Sequence, residues 1–420
     1  MGRIKNFYID VPQEALYILK NLNQAGYDAY VVGGCVRDSV IGKTPHDWDI
    51  CTSAMPENII EVFNKHKIIP TGLRHGTVTV VLDKGQYEIT TFRIDGEYEN
   101  NRRPKNVKFT RNLKEDLKRR DFTINALAYN PRDGLIDYFG GLRDIRRKII
   151  KCVGNADERF QEDALRVLRA IRFSANLGFK IHYKTYMGIL SNKKLLDNIS
   201  VERINSETVK ILQSKNLKTI NATLLFSCLI NILYELNYIK NKRGIIKHIS
   251  STLFFEMNNN EDIYLIRLSI LFESLDINRI YKILRDLRFD NRTINSVVKI
   301  VKYGSVIMSE VNKNDKYLIR KIISDIGYYL TNKTIEFVYI HNPKIYTHYF
   351  NVLKDEYKKC NSIRQMKLNG DDLIKIGFNG KEIGNCLNYL LDNILADKIK
   401  NDYEILYNEA IRYKERKSYV

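Results

Sequence analysis

Apolar positions along the chain recur with two different periods, and the change from one to the other divides it. Ala15, Leu16, Ile18, Leu19 and Leu22 return at helical spacing between Pro12 and Gly26, which predicts a helix over 12–25. Short β-branched runs follow. Residues 29–32 and 47–52 read as strands, 35–41 and 56–66 as helices, and 76–82 with 87–92 as a hairpin with Gly85 in its turn. Residues 94–106, IDGEYENNRRPKN, are polar and aperiodic and predict a mobile loop. A basic-then-apolar helix is expected over 113–130, and a second Gly-Gly turn, Gly140-Gly141, closes this α/β region near residue 145.

From 157 to 177 the pattern is that of one strongly amphipathic helix. Leu165, Leu168, Ile171 and Ala175 form its apolar stripe, and Glu162, Arg166 and Arg169 a charged one. Beyond Lys180 no strand pattern returns, and the chain reads as helix after helix. The fold expected is therefore an α/β N-terminal head on a small mixed sheet, followed by all-α units in an elongated, multi-domain chain.

Charge narrows the partner. Lys and Arg number 68 against 49 acidic residues in 420, a formal net charge of +19. Such a surplus points to a polyanion, most often nucleic acid, although a Lys- and Asn-rich proteome would also produce it. The six cysteines show no metal- or disulfide-like spacing and read as reduced thiols. No secretory signal, N-myristoylation pattern or membrane-spanning run is present, so a soluble cytoplasmic protein is expected.

Candidate chemistry centres on residues 30–53, YVVGGCVRDSVIGKTPHDWDICTS. Asp47 and Asp49, two apart on a strand, would project together and suit hard divalent cations. Gly33-Gly34 lets backbone approach a phosphate, with Arg37 beside it. Glu88 offers a third carboxylate. Arg119-Arg120-Asp121, with Asn125, could grip phosphate and ribose, or form a solvated helix face. The spacing of Asp163 and Arg166 favours a plain helical ion pair over base reading. His75 reads as structural. A Walker motif and metal-binding histidine clusters are both lacking, so any nucleotide triphosphate would be handled by a two-carboxylate site.

Together GGCVRD, DWDICT, RHGTVTVVL, YEITTFR, LKRRDFTINALAYN and ERFQEDALRVLRAIRFSANLGF resemble the class II tRNA nucleotidyltransferases, the CCA-adding enzymes of the polymerase β superfamily. NISVERINSETVKIL at 198–212 and the stretch from Leu368 to Asp402 extend the resemblance. It implies a catalytic head (1–145), a base-selecting neck (146–212), a helical body (213–310) and a tRNA-binding tail (311–420). It implies addition of CCA to tRNA 3′ ends from CTP and ATP, without a nucleic-acid template, at a two-ion Mg²⁺ site held by Asp47 and Asp49, with Glu88 as the third acidic position. Gly33, Gly34, Arg37, Arg120, Asp121 and Asn125 match the triphosphate and ribose motifs. Asp163 and Arg166 match the amino-acid template, which reverses the reading from spacing, and Arg169 on the same stripe joins the nucleotide-binding set. Residues 94–106 fall where the family has its flexible loop, implicated in the switch from C to A. An A-adding enzyme, a poly(A) polymerase or a non-catalytic tRNA-binding protein are the alternatives; no obligatory protein partner is indicated.

Overall fold

The computed structural model describes residues 2–5, 7–99, 101, 103–214, 216, 262–309 and 315–418. The chain separates into two compact units, Met1–Tyr238 and Ile239–Val420.

The first unit opens with β1 (Arg3–Ile4), α1 (Gln13–Gln24), β2 (Ala29–Val32), α2 (Gly34–Val40), β3 (Ile50–Thr52), α3 (Pro56–Val62), β4 (Lys67–Gly72), β5 (Thr77–Leu82) and β6 (Gly85–Thr91). Next come β7 (Arg93–Asp95), β8 (Tyr98–Glu99), β9 (Arg103–Pro104), β10 (Val107–Phe109), α4 (Leu113–Lys118), β11 (Leu127–Asn130), β12 (Gly134–Asp137) and α5 (Gly141–Arg146). Eight strands form one mixed sheet in the order β1-β12-β11-β2-β3-β6-β5-β4. Its centre is antiparallel across β11, β2 and β3, and β3 runs parallel to β6 with Ile50 opposite Ile89. Burial of Ala15, Ile18, Leu19 and Leu22 fixes α1, whose apolar spacing announced it.

Three sequence expectations are corrected here. The 47–52 strand is shorter: pairing begins at Ile50, and Asp47 and Asp49 lie on the approach to it, although the Asp49 carbonyl still accepts from the Val32 N–H at 3.0 Å. The hairpin turns at Asp83-Lys84, because Leu82 pairs with Gly85 and takes that glycine into the strand. The helix foreseen over 113–130 stops at Lys118, and Leu127–Asn130 is a strand buried on both faces between β2 and β12. A continuous apolar run of this length has no period that separates a buried helix from a central strand.

The 94–106 segment also differs from a structureless loop. β7 pairs with β10 and β8 with β9, so the described residues between Arg93 and Phe109 form a narrow antiparallel arm. Its tip residue Asn101, at φ 52°, accepts from the Ala164 N–H at 2.9 Å and from the Asn198 side chain at 2.9 Å. Alternating pairs with polar side chains on both faces leave no hydrophobic signature for such an arm.

After β13 (Ile149–Ile150), the unit continues with α6 (Ala156–Glu162), α7 (Leu165–Leu177), β14 (Lys180–Ile181), α8 (Tyr183–Asn192) and α9 (Val201–Leu212). The single helix expected over 157–177 is thus two, broken where Asp163 takes an extended conformation, φ −134° and ψ 103°. Its side chain and carbonyl then accept from the Leu165 and Arg166 N–H groups, starting α7 afresh.

The second unit is helical throughout its described residues: α10 (Ile263–Phe272), α11 (Ile277–Asp286), α12 (Asn291–Ser309), α13 (Asp315–His341, bent at Gly327), α14 (Pro343–Glu356), α15 (Gly370–Lys375), α16 (Lys381–Leu395) and α17 (Tyr403–Ser418). Leu373, Cys386, Leu390, Leu406 and Ala410 form the core of its C-terminal part. Five cysteines are free thiols; Cys228 lies outside the described residues. Among the described residues no helix is long and apolar enough to cross a membrane.

Candidate active site

A cleft of about 610 Å³ in the first unit gathers the end of β2, the approach to β3, the segment after α4, the α6–α7 break and α9. Seven arginines and four aspartates line it. That lining suits a highly charged anion together with a cation.

The floor is made by backbone. Gly33 sits at φ 85° and ψ −126°, a conformation that side chains resist, and a Cβ there would lie 2.9 Å from Arg120 Nη1. Glycine therefore lets the chain turn from β2 into α2 directly under the Arg120 guanidinium. Arg37, in α2, is buried; its Nη1 donates to Asn125 Oδ1 at 2.6 Å, and its Nε and Nη2 donate to Asp38. Asn125 in turn donates to Asp121 Oδ1 at 3.1 Å.

Asp121 receives Arg169 through Nε and Nη2 at 2.8 and 2.6 Å. Burial alone would raise its pKa, but the Arg169 charge and the Asn125 hydrogen bond outweigh this and hold it down at about 2. Because the folded value lies below the unfolded one, the stabilisation is present above about pH 4 and is lost as pH falls through about 2. It amounts to about 2 kcal/mol. In urea titrations, Asp121→Asn should be less stable than wild type by that order at pH 7, with the gap narrowing between about pH 4 and pH 2; a gap independent of pH would refute the ion-pair account.

Asp47 and Asp49 both face the cleft. The Asp49 pKa is raised, by burial first, with Arg120 opposing and the Asp47 charge adding to the rise. Two carboxylates held against their mutual repulsion fit a divalent cation, whose charge would relieve both. Glu88 is placed apart. It stands on β6 opposite Thr79, one residue before the Ile50↔Ile89 pair, with its side chain exposed and outside the cleft lining. Among the described residues no group of three or more His, Cys, Asp or Glu side chains is arranged to hold a metal.

At the other end Asp163 Oδ2 meets Arg203 Nη2 at 3.1 Å. Arg166 is buried, pairs with Glu162, and donates to the carbonyls of Arg159 and Arg119 at 3.0 and 2.9 Å. The arm reaches it as well: the Tyr98 ring lies 5.9 Å from its guanidinium carbon, and the Tyr98 hydroxyl donates to Asp95 at 2.6 Å.

Of the residues expected from sequence, Gly33, Gly34, Arg37, Asp47, Asp49, Arg120, Asp121, Asn125, Asp163, Arg166 and Arg169 converge on the cleft, and Glu88 does not. Arg119, paired with Arg120 in the phosphate-gripping motif read from sequence, also lines the cleft, whereas sequence reasoning missed Leu165, Arg172, Phe173 and Arg203 as lining residues. Arg172 was within reach, since Arg166, Arg169 and Arg172 recur every three residues. Arg203 carried no local signal, because its role depends on where α9 packs.

The chain matches three family profiles: the poly A polymerase head domain over 29–151, an RNA and SrmB-binding site of polymerase A over 178–233, and tRNA nucleotidyltransferase domain 2 over 255–410. A CCA-adding enzyme of Ligilactobacillus salivarius is 40% identical over 421 residues, covering 97% of this chain and 99% of that protein. The chain belongs to the CCA-adding enzymes. About half of it is similar to the Geobacillus stearothermophilus CCA-adding enzyme, at 52% identity over 200 residues, 48% of this chain and 49% of that one. The Bacillus stearothermophilus CCA-adding enzyme, solved in complex with CTP, superposes with a TM-score of 0.76 at 30% identity over 97% of this chain and 99% of the other. The tRNA nucleotidyltransferase fold and class expected from the sequence motifs are therefore those of the family.

Proposed function

We propose that this enzyme adds C, C and A in turn to the 3′ end of tRNA, taking CTP and ATP as donors in the cleft around Asp47, Asp49 and Arg120. The observation that carries this reading is the convergence in one cleft of a carboxylate pair, a glycine turn under an arginine, and an Asp–Arg pair at the opposite end. Arg120 and the Gly33–Gly34 turn bind the triphosphate. Asp121 and Asn125, each tied to an arginine, orient the ribose.

The reaction forms a bond from the terminal tRNA 3′-oxygen to the α-phosphorus and breaks the bond to the bridging oxygen, releasing pyrophosphate. Nucleotidyltransferases of this family use a divalent metal; Asp47 and Asp49 would hold Mg²⁺, which supplies charge neutralisation at the attacking and departing oxygens. Glu88 belongs to this proposal only as an outer carboxylate near the same sheet end. Lys and Arg of the body and tail read the tRNA backbone, and the protein works in the cytoplasm on a soluble substrate. The division into head 1–145, neck 146–212, body 213–310 and tail 311–420 goes with this reading.

CTP alone, with tRNA ending at the discriminator base, separates this enzyme from an A-adding specialist. Two additions are expected, and none would assign it to the A-only class. Replacing arm residues 97–105 with a short Gly-Ser link should leave those two C additions within about threefold while lowering A addition at least tenfold, since the arm tip holds the α6–α7 break through Asn101. Equal losses of C and A addition would count against a role for the arm in the switch.

A further inference from the structure

Three guanidinium groups of the cleft converge on one aromatic ring. The guanidinium carbons of Arg37, Arg169 and Arg172 lie 5.1, 5.4 and 4.3 Å from the centroid of Phe173. Arg169 and Arg172 share α7 with the ring, whereas Arg37 comes from α2, so a local helix contact accounts for only part of the cluster. Phe173 is 7% exposed and lines the cleft. Its own position is set from behind by Phe122, fully buried, edge-on at 5.7 Å and 81°.

Like charges so close repel, and each is held at its edge by a different partner: Arg37 by Asp38 and Asn125, Arg169 by Asp121, and Arg172 through Nε by Glu207 at 2.6 Å. The forked bonds of Arg37 and Arg169 set their edges, and the single Nε bond of Arg172 leaves its plane the least restrained. The negative face of an aromatic ring adds an attraction normal to those edges, and offers it to three cations at once. An aliphatic side chain of equal bulk would fill the space without that attraction.

We infer that Phe173 is a positioning residue: an aromatic hub that fixes the planes of Arg37, Arg169 and Arg172 so that they present a preformed socket to the phosphates and sugar of the incoming nucleotide. This rests on the nucleotide reading of the cleft. The hub acts through parts common to both substrates, so its loss affects CTP and ATP alike. A ring that stacked on the base would favour the larger purine.

The test varies the ring's charge without its shape. Full-length enzyme is prepared with Phe173 replaced by phenylalanine bearing one, two and three ring fluorines, alongside Phe173→Leu and Phe173→Tyr, and KM and kcat are measured for CTP and ATP on the matching tRNA ends. KM for both nucleotides should climb stepwise with fluorination to about tenfold, kcat should stay within about twofold, and thermal unfolding should not move. Phe173→Leu should match the trifluoro enzyme, and Phe173→Tyr should lie near wild type. A flat KM across the fluorinated series, whatever Phe173→Leu does, overturns the hub and leaves Phe173 as packing. A rise for ATP alone overturns it in favour of base stacking. Failure of wild type to extend either tRNA end would instead remove the nucleotide reading beneath it.

Discussion

Asp47→Asn should lower nucleotide addition at least about 10³-fold, equivalent to about 4 kcal/mol of lost transition-state stabilisation, while tRNA binding stays within about twofold. Asp47 faces the cleft from the approach to β3, and its side chain takes no part in the core. The substitution keeps the shape and removes one of two negative charges. Burial and the Asp47 charge both raise the Asp49 pKa, and Arg120 opposes them. Removing the Asp47 charge therefore relieves the fold and harms the chemistry. The same pair predicts that Asp49→Asn has an equal effect and that the double variant is no worse than either single one, because the two carboxylates act as one unit. Single-turnover extension rates check this; a Asp47→Asn rate within tenfold of wild type would dismiss the carboxylate pair as the catalytic centre.

Asp163→Asn should reduce discrimination between CTP and UTP about 10- to 100-fold, the equivalent of one lost bidentate base contact. Cytosine and adenine share an edge pattern that uracil and guanine reverse: an amino donor beside a ring-nitrogen acceptor. A carboxylate paired with a guanidinium complements that pattern, accepting from the amino group and donating to the ring nitrogen. Asp163 and Arg166 both line the cleft, and neither is free to wander. Asp163 is anchored by the Leu165 N–H and Arg203, and Arg166 by Glu162 and the carbonyls of Arg159 and Arg119. An asparagine amide can donate where the carboxylate cannot, so its N–H can bond to the carbonyl oxygen of uracil. Relative kcat/KM for CTP and UTP on the same tRNA end measures the change. Unaltered selectivity with a general drop in rate would assign Asp163 to structure through its Arg203 pair.

How much of this was legible in the chain depended on whether a signal was local. α1 and β2 follow from apolar spacing, and the cleft glycines and aspartates from motifs within a few residues of one another. The break at Asp163 was not legible, because Glu162, Arg166 and Arg169 keep helical spacing across it. The ion pair expected from spacing between Asp163 and Arg166 does not form: Glu162 takes the helical pairing to Arg166, and Asp163 turns to Arg203. The arm over 93–109 was hidden by its polarity, and the strand at Leu127–Asn130 by its uniform apolarity. Phe173 reads from sequence as one more buried position of α7; Arg169 and Arg172 are its neighbours on the same helix, and only the fold brings Arg37 of α2 to the ring. Glu88 shows the converse, since a matching motif position does not bring its side chain into the cleft.

The central claim is that one cleft adds three nucleotides of defined sequence and then stops. Full-length enzyme, Mg²⁺, CTP and ATP are incubated to completion with tRNA ending at the discriminator base, and the product ends are sequenced. The account predicts a single product extended by C, C and A, with no further growth on longer incubation. A lengthening run of A residues, or a product carrying A with no C before it, would contradict it.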